Sequence, residues 1–186
     1  MMKTTVLLLS FLAAIVFCGC GTDNLDAATA KKLILEKEKY PRVFDYDVSC
    51  GDMTVAKEFL ELGLEEQGLV TIMKSQSMSQ LGMPWITFTE KAKPYLLPRS
   101  EQDLKYKGQP VKLADMTFGE IKGIVMGKDG KVAMVQYSLL YKNLTPFIKL
   151  IKRDLTKEEL HKAYFVRYDT GWQMDKNGEM LFMGIH

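Results

Sequence analysis

Residues 119–141 read GEIKGIVMGKDGKVAMVQYSLLY. Their centre, Lys128-Asp129-Gly130-Lys131, is a hairpin signal, because Asp-Gly tolerates the positive φ that tight turns need. Gly119–Met126 and Lys131–Tyr141 flank it as strand candidates. In the second, Ala133, Val135, Tyr137, Leu139 and Tyr141 fall on one face at period two, the pattern of a half-buried strand. Working outward, Val111–Met116 precedes this hairpin as a further strand. Ala163–Tyr168, Trp172–Met174 and Met180–Ile185 come after it, joined by Asp169-Thr170-Gly171 and Asp175-Lys176-Asn177-Gly178 turns. Between them, Thr145-Pro146 predicts a helix start with Thr as cap and Pro at the first position, its apolar face formed by Phe147, Leu150 and Ile151. Thr156-Lys157-Glu158-Glu159 has capping-box spacing and predicts another short helical turn. Residues 111–186 thus read as an antiparallel β-rich half.

The preceding segment has a different period. Asp26–Lys39 predicts a helix with Ala27, Ala30, Leu33 and Ile34 on one face, ended by Pro41. Val43–Val48 reads as a short extended piece. A second helix starts near Thr54, with Val55, Phe59 and Leu62 at helical spacing and Gly68 as its stop. Leu69–Lys74 and Trp85–Thr89 are strand-like around a polar loop, and Thr89–Leu96 is a short helix that Pro94 interrupts. Helix, glycine stop, strand, loop, strand and short helix is an order that resembles the second half of a winged helix. The residues that carry the resemblance are Phe59-Leu60-Glu61-Leu62, Gly68-Leu69-Val70 and Thr89-Glu90-Lys91-Ala92. Residues 98–110, with Pro98, Gly108 and Pro110, read as a linker. The expected fold is therefore α+β: a winged-helix-like helical N-terminal half (residues 26–97) packed with the antiparallel β-rich C-terminal half (residues 111–186).

The chain has 186 residues, 47% hydrophobic and 26% charged, enough apolar material for a globular core. Its net charge is +2. Residues 22–97 hold nine basic and twelve acidic side chains, and the helix that would enter a groove carries Glu58, Glu61, Glu65 and Glu66 against Lys57. A phosphate backbone would repel that surface, so nucleic acid is excluded as a partner.

The N-terminus places the protein. Lys3 gives a positive start, and Val6–Phe17 is an apolar run of about twelve residues broken only by Ser10. That is the length of a signal-peptide core and too short for a spanning helix of ~20 residues. Phe17-Cys18-Gly19-Cys20 then resembles a bacterial lipobox, in which a small residue precedes the cysteine that becomes acylated. The resemblance implies cleavage after residue 19, lipid attachment at Cys20 and a short tether over residues 20–25. Several acyl chains would hold stably, at roughly 0.8 kcal/mol per buried CH₂. Gly21 after the cysteine implies the outer membrane, with the periplasmic or surface face open. Residues 98–186 carry fifteen basic and eleven acidic groups, read as a solvated surface rather than a headgroup patch.

No catalytic, cofactor-binding or metal-ligating constellation stands out. Asp169-Thr170-Gly171 spells the aspartic-protease triplet, but Trp172 comes next and Arg167-Tyr168 precede it, so a hairpin turn is the expectation. Asp45, Asp47 and Ser49 open like a calcium loop, but the glycine falls one place late at Gly51 and Ala56 stands where the bidentate Glu belongs, leaving a solvated strand face. Cys50 is expected to be a buried, inert thiol, with no reason in the sequence for it to meet His161. His186 is terminal. Met73, Met78, Met83, Met174, Met180 and Met183 are expected to fill core gaps, and Trp85 and Trp172 to pack. The layout resembles small uncharacterised bacterial lipoproteins, a resemblance that transfers no activity. The leading expectation is a lipid-anchored cell-envelope protein, a non-catalytic module for an envelope protein or cell-wall partner. A hydrolase with a dispersed site and a small-ligand carrier with a cavity near Tyr137, Tyr141 and Phe165 are the alternatives. A flat surface with one exposed apolar patch separates the first from the other two.

Overall fold

A computed structural model describes residues 24–184, with 37% in strands and 29% in helices. Its centre is a curled antiparallel sheet built on one long strand, β4 (Gly108–Met126). β5 (Val132–Lys142), β6 (Glu159–Tyr168) and β7 (Gly171–Met174) extend it on one side, and β1 (Arg42–Ser49) closes the other, giving the order β1-β4-β5-β6-β7. Three register irregularities in β4, opposite Phe44/Asp45 and along Phe118–Ile121–Gly123, let the strand bend while keeping its apolar side chains on one face. By the pairing, Val111, Ala114, Met116, Phe118, Ile121 and Ile124 stand on the same side as Ala133, Val135, Tyr137 and Leu139 of β5 and Ala163 and Phe165 of β6. This is the inner face that the period-two reading of β5 predicts.

Two packing clusters fill that face. In the first, Val48, Val111 and Leu113 of the sheet meet Phe59 and Ala56 of α2 (Met53–Glu61), Val70 and Ile72 of β2 (Val70–Ile72), Ile86 of β3 (Ile86–Phe88) and Phe147. Edge-to-face rings, Phe59–Phe88 at 6.4 Å, Phe88–Phe147 at 5.8 Å and Tyr95–Phe147 at 6.0 Å, interlock its elements. In the second, Leu25, Ala30 and Ile34 of the α1 segment (Ala27–Glu38) lie on Met116, Val135, Tyr137 and Phe165. Asp26 caps α1 by accepting from Thr29 N at 2.8 Å. Phe44 touches both clusters and joins them.

The helical, winged-helix-like N-terminal half is not formed, and the chain is mainly β. The reason lies in Val43–Val48. Phe44, Tyr46 and Val48 need an existing sheet to bury against, and Gly108–Met116 supplies it, so this segment leaves the N-terminal half and becomes the edge strand of the main sheet. α1 packs on the sheet, in the second cluster, apart from the α2 cluster. After α2 the chain forms a two-stranded β2–β3 pair of three residues each. Gly63, at φ +68, terminates α2 earlier than Gly68 would.

Other boundaries differ locally. Val111–Met116 and Gly119–Met126 are one strand. Residues 98–110 contain a helix, α3 (Glu101–Tyr106), and the start of β4. The Thr156 turn is not helical: its amide and hydroxyl both donate to Asp154, and Glu159 begins β6. The segment after Asp175 is a helix, α4 (Gly178–Phe182), rather than a strand. α4 covers the outer face of β5 and β6, with Phe182 5.8 Å from Tyr164 and Gly178 beneath that tyrosine, where a Cβ would lie 2.8 Å from its Cβ. The Asp129-Gly130 turn forms as expected, with Gly130 at φ +67 and Lys131 N donating to Asp129 at 2.9 Å. Thr145 caps a 3₁₀ turn over Pro146–Leu150.

Candidate functional site

The end of β1 is the junction on which the site is built. Cys50 N donates to Lys107 O at 2.9 Å, and Cys50 O accepts from Trp85 N at 2.8 Å and Ile86 N at 3.2 Å. One residue's backbone thus ties together the β1–α2 turn, the α3–β4 junction and the start of β3. Asp52 caps α2, accepting from Thr54 N at 2.7 Å. α3 begins with a reciprocal Ser100/Asp103 capping box and ends at Lys107, which adopts the left-handed conformation (φ 56) and donates its amide to Asp103 O. The Lys107 ammonium reaches the Gly82 carbonyl and holds the Ser75–Pro84 arm against the body. Gln76 and the Ser77/Gln80 capping box brace that arm internally.

These contacts leave a cleft of two lobes that meet at Lys107. The larger, about 600 Å³, lies between Ser49–Met53, Trp85 and Lys105–Lys107. The smaller, about 330 Å³, is walled by Pro84, Ile86, Phe88, Leu96 and Leu104, with Arg99 and Lys107 among its lining residues. Exposed apolar side chains belong to these same segments: Met53, Leu104 and Tyr106 on the lobes, and Met78, Leu81 and Met83 on the arm. Met78 is 87% and Tyr106 62% accessible.

Charge at the cleft is asymmetric. Asp52 and Asp103 accept from helix-cap donors, and the Ser100 donors, aided by Arg99, hold the Asp103 carboxyl below its ordinary range. Among the described residues, Arg99, Lys105 and Lys107 are in no ion pair. Lys105 lies 5.3 Å over the Tyr106 ring.

A second gathering of titratable groups sits on the inner side of β6. Glu159 accepts from the Tyr141 hydroxyl at 2.7 Å and pairs with Arg153 at 3.2 Å, with His161 3.6 Å away. Burial, then the Glu159 contact, pushes the Tyr141 phenol up to about 12. Arg153 also stacks over Phe44 at 5.5 Å. The cluster clamps β5 and β6 to the segment between them.

The residues singled out in the sequence are dispersed. Cys20 lies outside the described residues, as does His186. Cys50 is buried, with its Sγ 3.8 Å from Val48 O, and burial raises its thiol to about 11. It belongs to the first cluster, whereas His161 lies 5.9 Å from Tyr137 of the second. Asp169-Thr170 is a tight turn between β6 and β7, with Gly171 at φ +108. Asp45, Asp47 and Ser49 alternate along the exposed side of β1. Among the described residues no group of three His, Cys, Asp or Glu side chains could hold a metal ion, and no helix is long and apolar enough to cross a membrane. Tyr137 and Phe165 are buried packing residues. The methionine expectation fails at Met78, Met83, Met180 and Met183, which are exposed. Sequence reasoning missed Arg99, Lys105, Tyr106 and Lys107 because they fall in the supposed linker. The signal available was Ser100-x-x-Asp103, a capping spacing with Asp in place of Glu.

Comparison of the chain with protein-family models, curated proteins and solved structures returned no match.

Proposed function

We propose that this is a lipid-anchored protein of the bacterial cell envelope, attached through Cys20 to the outer membrane, that works as a non-catalytic binding module for an envelope protein or cell-wall partner. The anchor rests on the Val6–Phe17 run and the Gly19-Cys20 junction. The observation that carries the binding role is the Lys107 end of the molecule. There Met53, Leu104 and Tyr106 on the cleft and Met78, Leu81 and Met83 on the adjoining arm stand exposed, and Arg99, Lys105 and Lys107 are in no ion pair among the described residues. Exposed apolar side chains on the walls of a cleft suit a partner's apolar groups, and Met, Tyr, Trp and Arg are the residues that interfaces favour.

The test is fractionation of the producing bacterium with intact-mass analysis of wild type and Cys20→Ser. Wild type is expected in the outer membrane with acyl mass on Cys20, and the variant released or unprocessed. Exported wild-type protein that is soluble and cut elsewhere would refute the anchor. For the binding role, a photo-crosslinker at Tyr106 is expected to trap an envelope component, and one at the remote Lys152 is not.

A further inference from the structure

We infer that the two-lobed cleft takes an extended peptide segment of the partner in which an apolar side chain is flanked by a carboxylate. The inference rests on the binding-module reading and names what that face recognises. The smaller lobe is the anchor site. Its volume of about 330 Å³ is at the low end for a ligand pocket, and its Ile86, Phe88, Leu96 and Leu104 walls match one or two apolar side chains. Arg99 and Lys107 line the same lobe, so a carboxylate beside the apolar group meets positive charge as it enters. Arg99 already feels Asp103, but Asp103 is held by the Ser100 amide and hydroxyl, both at 2.7 Å. Lys107 donates to a carbonyl, which leaves its charge whole and two further N–H groups available.

Lys107 is shared by both lobes. A ligand carboxylate seated on it therefore borders both the apolar pocket and the Met53–Trp85–Tyr106 trough. That trough, about 600 Å³ and open, is lined by Lys105 and Lys107 and by Asp52, whose carboxylate accepts from Thr54 N, and it suits a continuing chain carrying flat or flexible side chains. The Met78 arm decides between a protein segment and a free amphiphile. Met78, Leu81 and Met83 line neither lobe, so a small carboxylate would leave them bare, whereas the body of a protein that threads a segment through the cleft would cover them.

The test uses the full chain carrying Cys20→Ser with ¹³C-methyl-labelled methionine, so binding is read whether or not Cys20 is acylated. The probes are an end-blocked hexapeptide alternating Asp with Leu and Phe, its Asp→Lys counterpart, its Leu/Phe→Ser counterpart, and decanoate. The acidic apolar peptide is expected to shift the methyl signal of Met53, which lines the larger lobe, and to leave Met174 unmoved. The two counterparts should bind about tenfold more weakly or not at all. Arg99→Glu and Lys107→Glu should each weaken the acidic peptide about tenfold, as should raised salt, because the charge pairs are exposed at the mouth. Leu104→Asp, on an exposed wall, should weaken it independently of any change in the arm. Equal binding of the lysine peptide, absence of a shift at Met53, or binding of decanoate alone would each overturn the inference. The fractionation result would stand unaffected in all three cases.

Discussion

Gly119→Ala tests how β4 lies against β5. An added Cβ at Gly119 would sit 2.3 Å from Ser138 Oγ, 3.1 Å from Ser138 O and 3.3 Å from Ser138 Cβ. Ser138 is 1% exposed, so its hydroxyl has little room to swing. That hydroxyl also accepts from Glu120 N at 3.1 Å and, after Lys122, helps hold the Glu158 carboxyl below its ordinary range. Overpacking of this kind costs about 1–3 kcal/mol. Displacing the hydroxyl adds the loss of one hydrogen bond, about 1 kcal/mol. Replacing glycine within a strand returns about 0.5–1 kcal/mol. The expected net loss is about 1–3.5 kcal/mol, a shift of about 1 M in the urea midpoint at an ordinary slope. Ser138→Ala alone should cost about 1 kcal/mol through Glu120 N. The double variant should cost about 1–2 kcal/mol less than the two single losses together, because the alanine at 138 removes the closest clash. Equilibrium urea unfolding of the four proteins reads this directly. Strict additivity, or a Gly119→Ala variant as stable as wild type, would show that Gly119 does not face Ser138 and would remove the bulged register of Phe118–Gly123.

The same packing sets two further outcomes. Phe147 is fully buried between Phe88 and Tyr95, so Phe147→Ala should cost about 3–5 kcal/mol and lower the melting temperature sharply, measured by calorimetry. An unchanged melting temperature would contradict its place in the first cluster. Tyr141 ionises near 12 instead of 10, so its contribution to stability is complete below pH 10 and is lost as pH rises towards 12. Absorbance titration at alkaline pH should lose a late-ionising phenol in Tyr141→Phe, and a variant that loses only an ordinary one would refute the Glu159 contact.

The β-rich half was legible because its code is local. Period two from Ala133 to Tyr141 and an Asp-Gly turn need no distant partner to be read, and both hold in the structure. The N-terminal half was misread because its key segment is ambiguous alone. A short run with Phe44, Tyr46 and Val48 on one side can be a stray extended piece or a sheet edge, and only Gly108–Met116, far along the chain, decides. The C-terminal residues failed for a related reason: Met180–Ile185 has strand-like composition, yet Asn177-Gly178 brings the chain close under Tyr164, where only glycine fits, and a helix continues from there. The cleft was illegible because its residues come from four separated segments, 49–53, 84–88, 96–99 and 104–109.

The segment taken for a linker is where α3 turns through Lys107 into β4, and the same turn lets Cys50 N reach Lys107 O. Had 98–110 been flexible, Lys107 could not be held in its left-handed conformation, and the arm it grips at Gly82 would not be fixed. An interaction surface with mobile apolar side chains loses about 0.5–1.5 kcal/mol for each one it must immobilise on binding. Here the capping boxes at Ser77 and Ser100, the Gln76–Met83 contact and the Lys107–Gly82 contact order the backbone beneath Met78, Leu81, Met83 and Tyr106 beforehand. Those polar contacts add little to a core they do not touch. On the proposed binding role, their placement preorganises an exposed apolar face before a partner arrives.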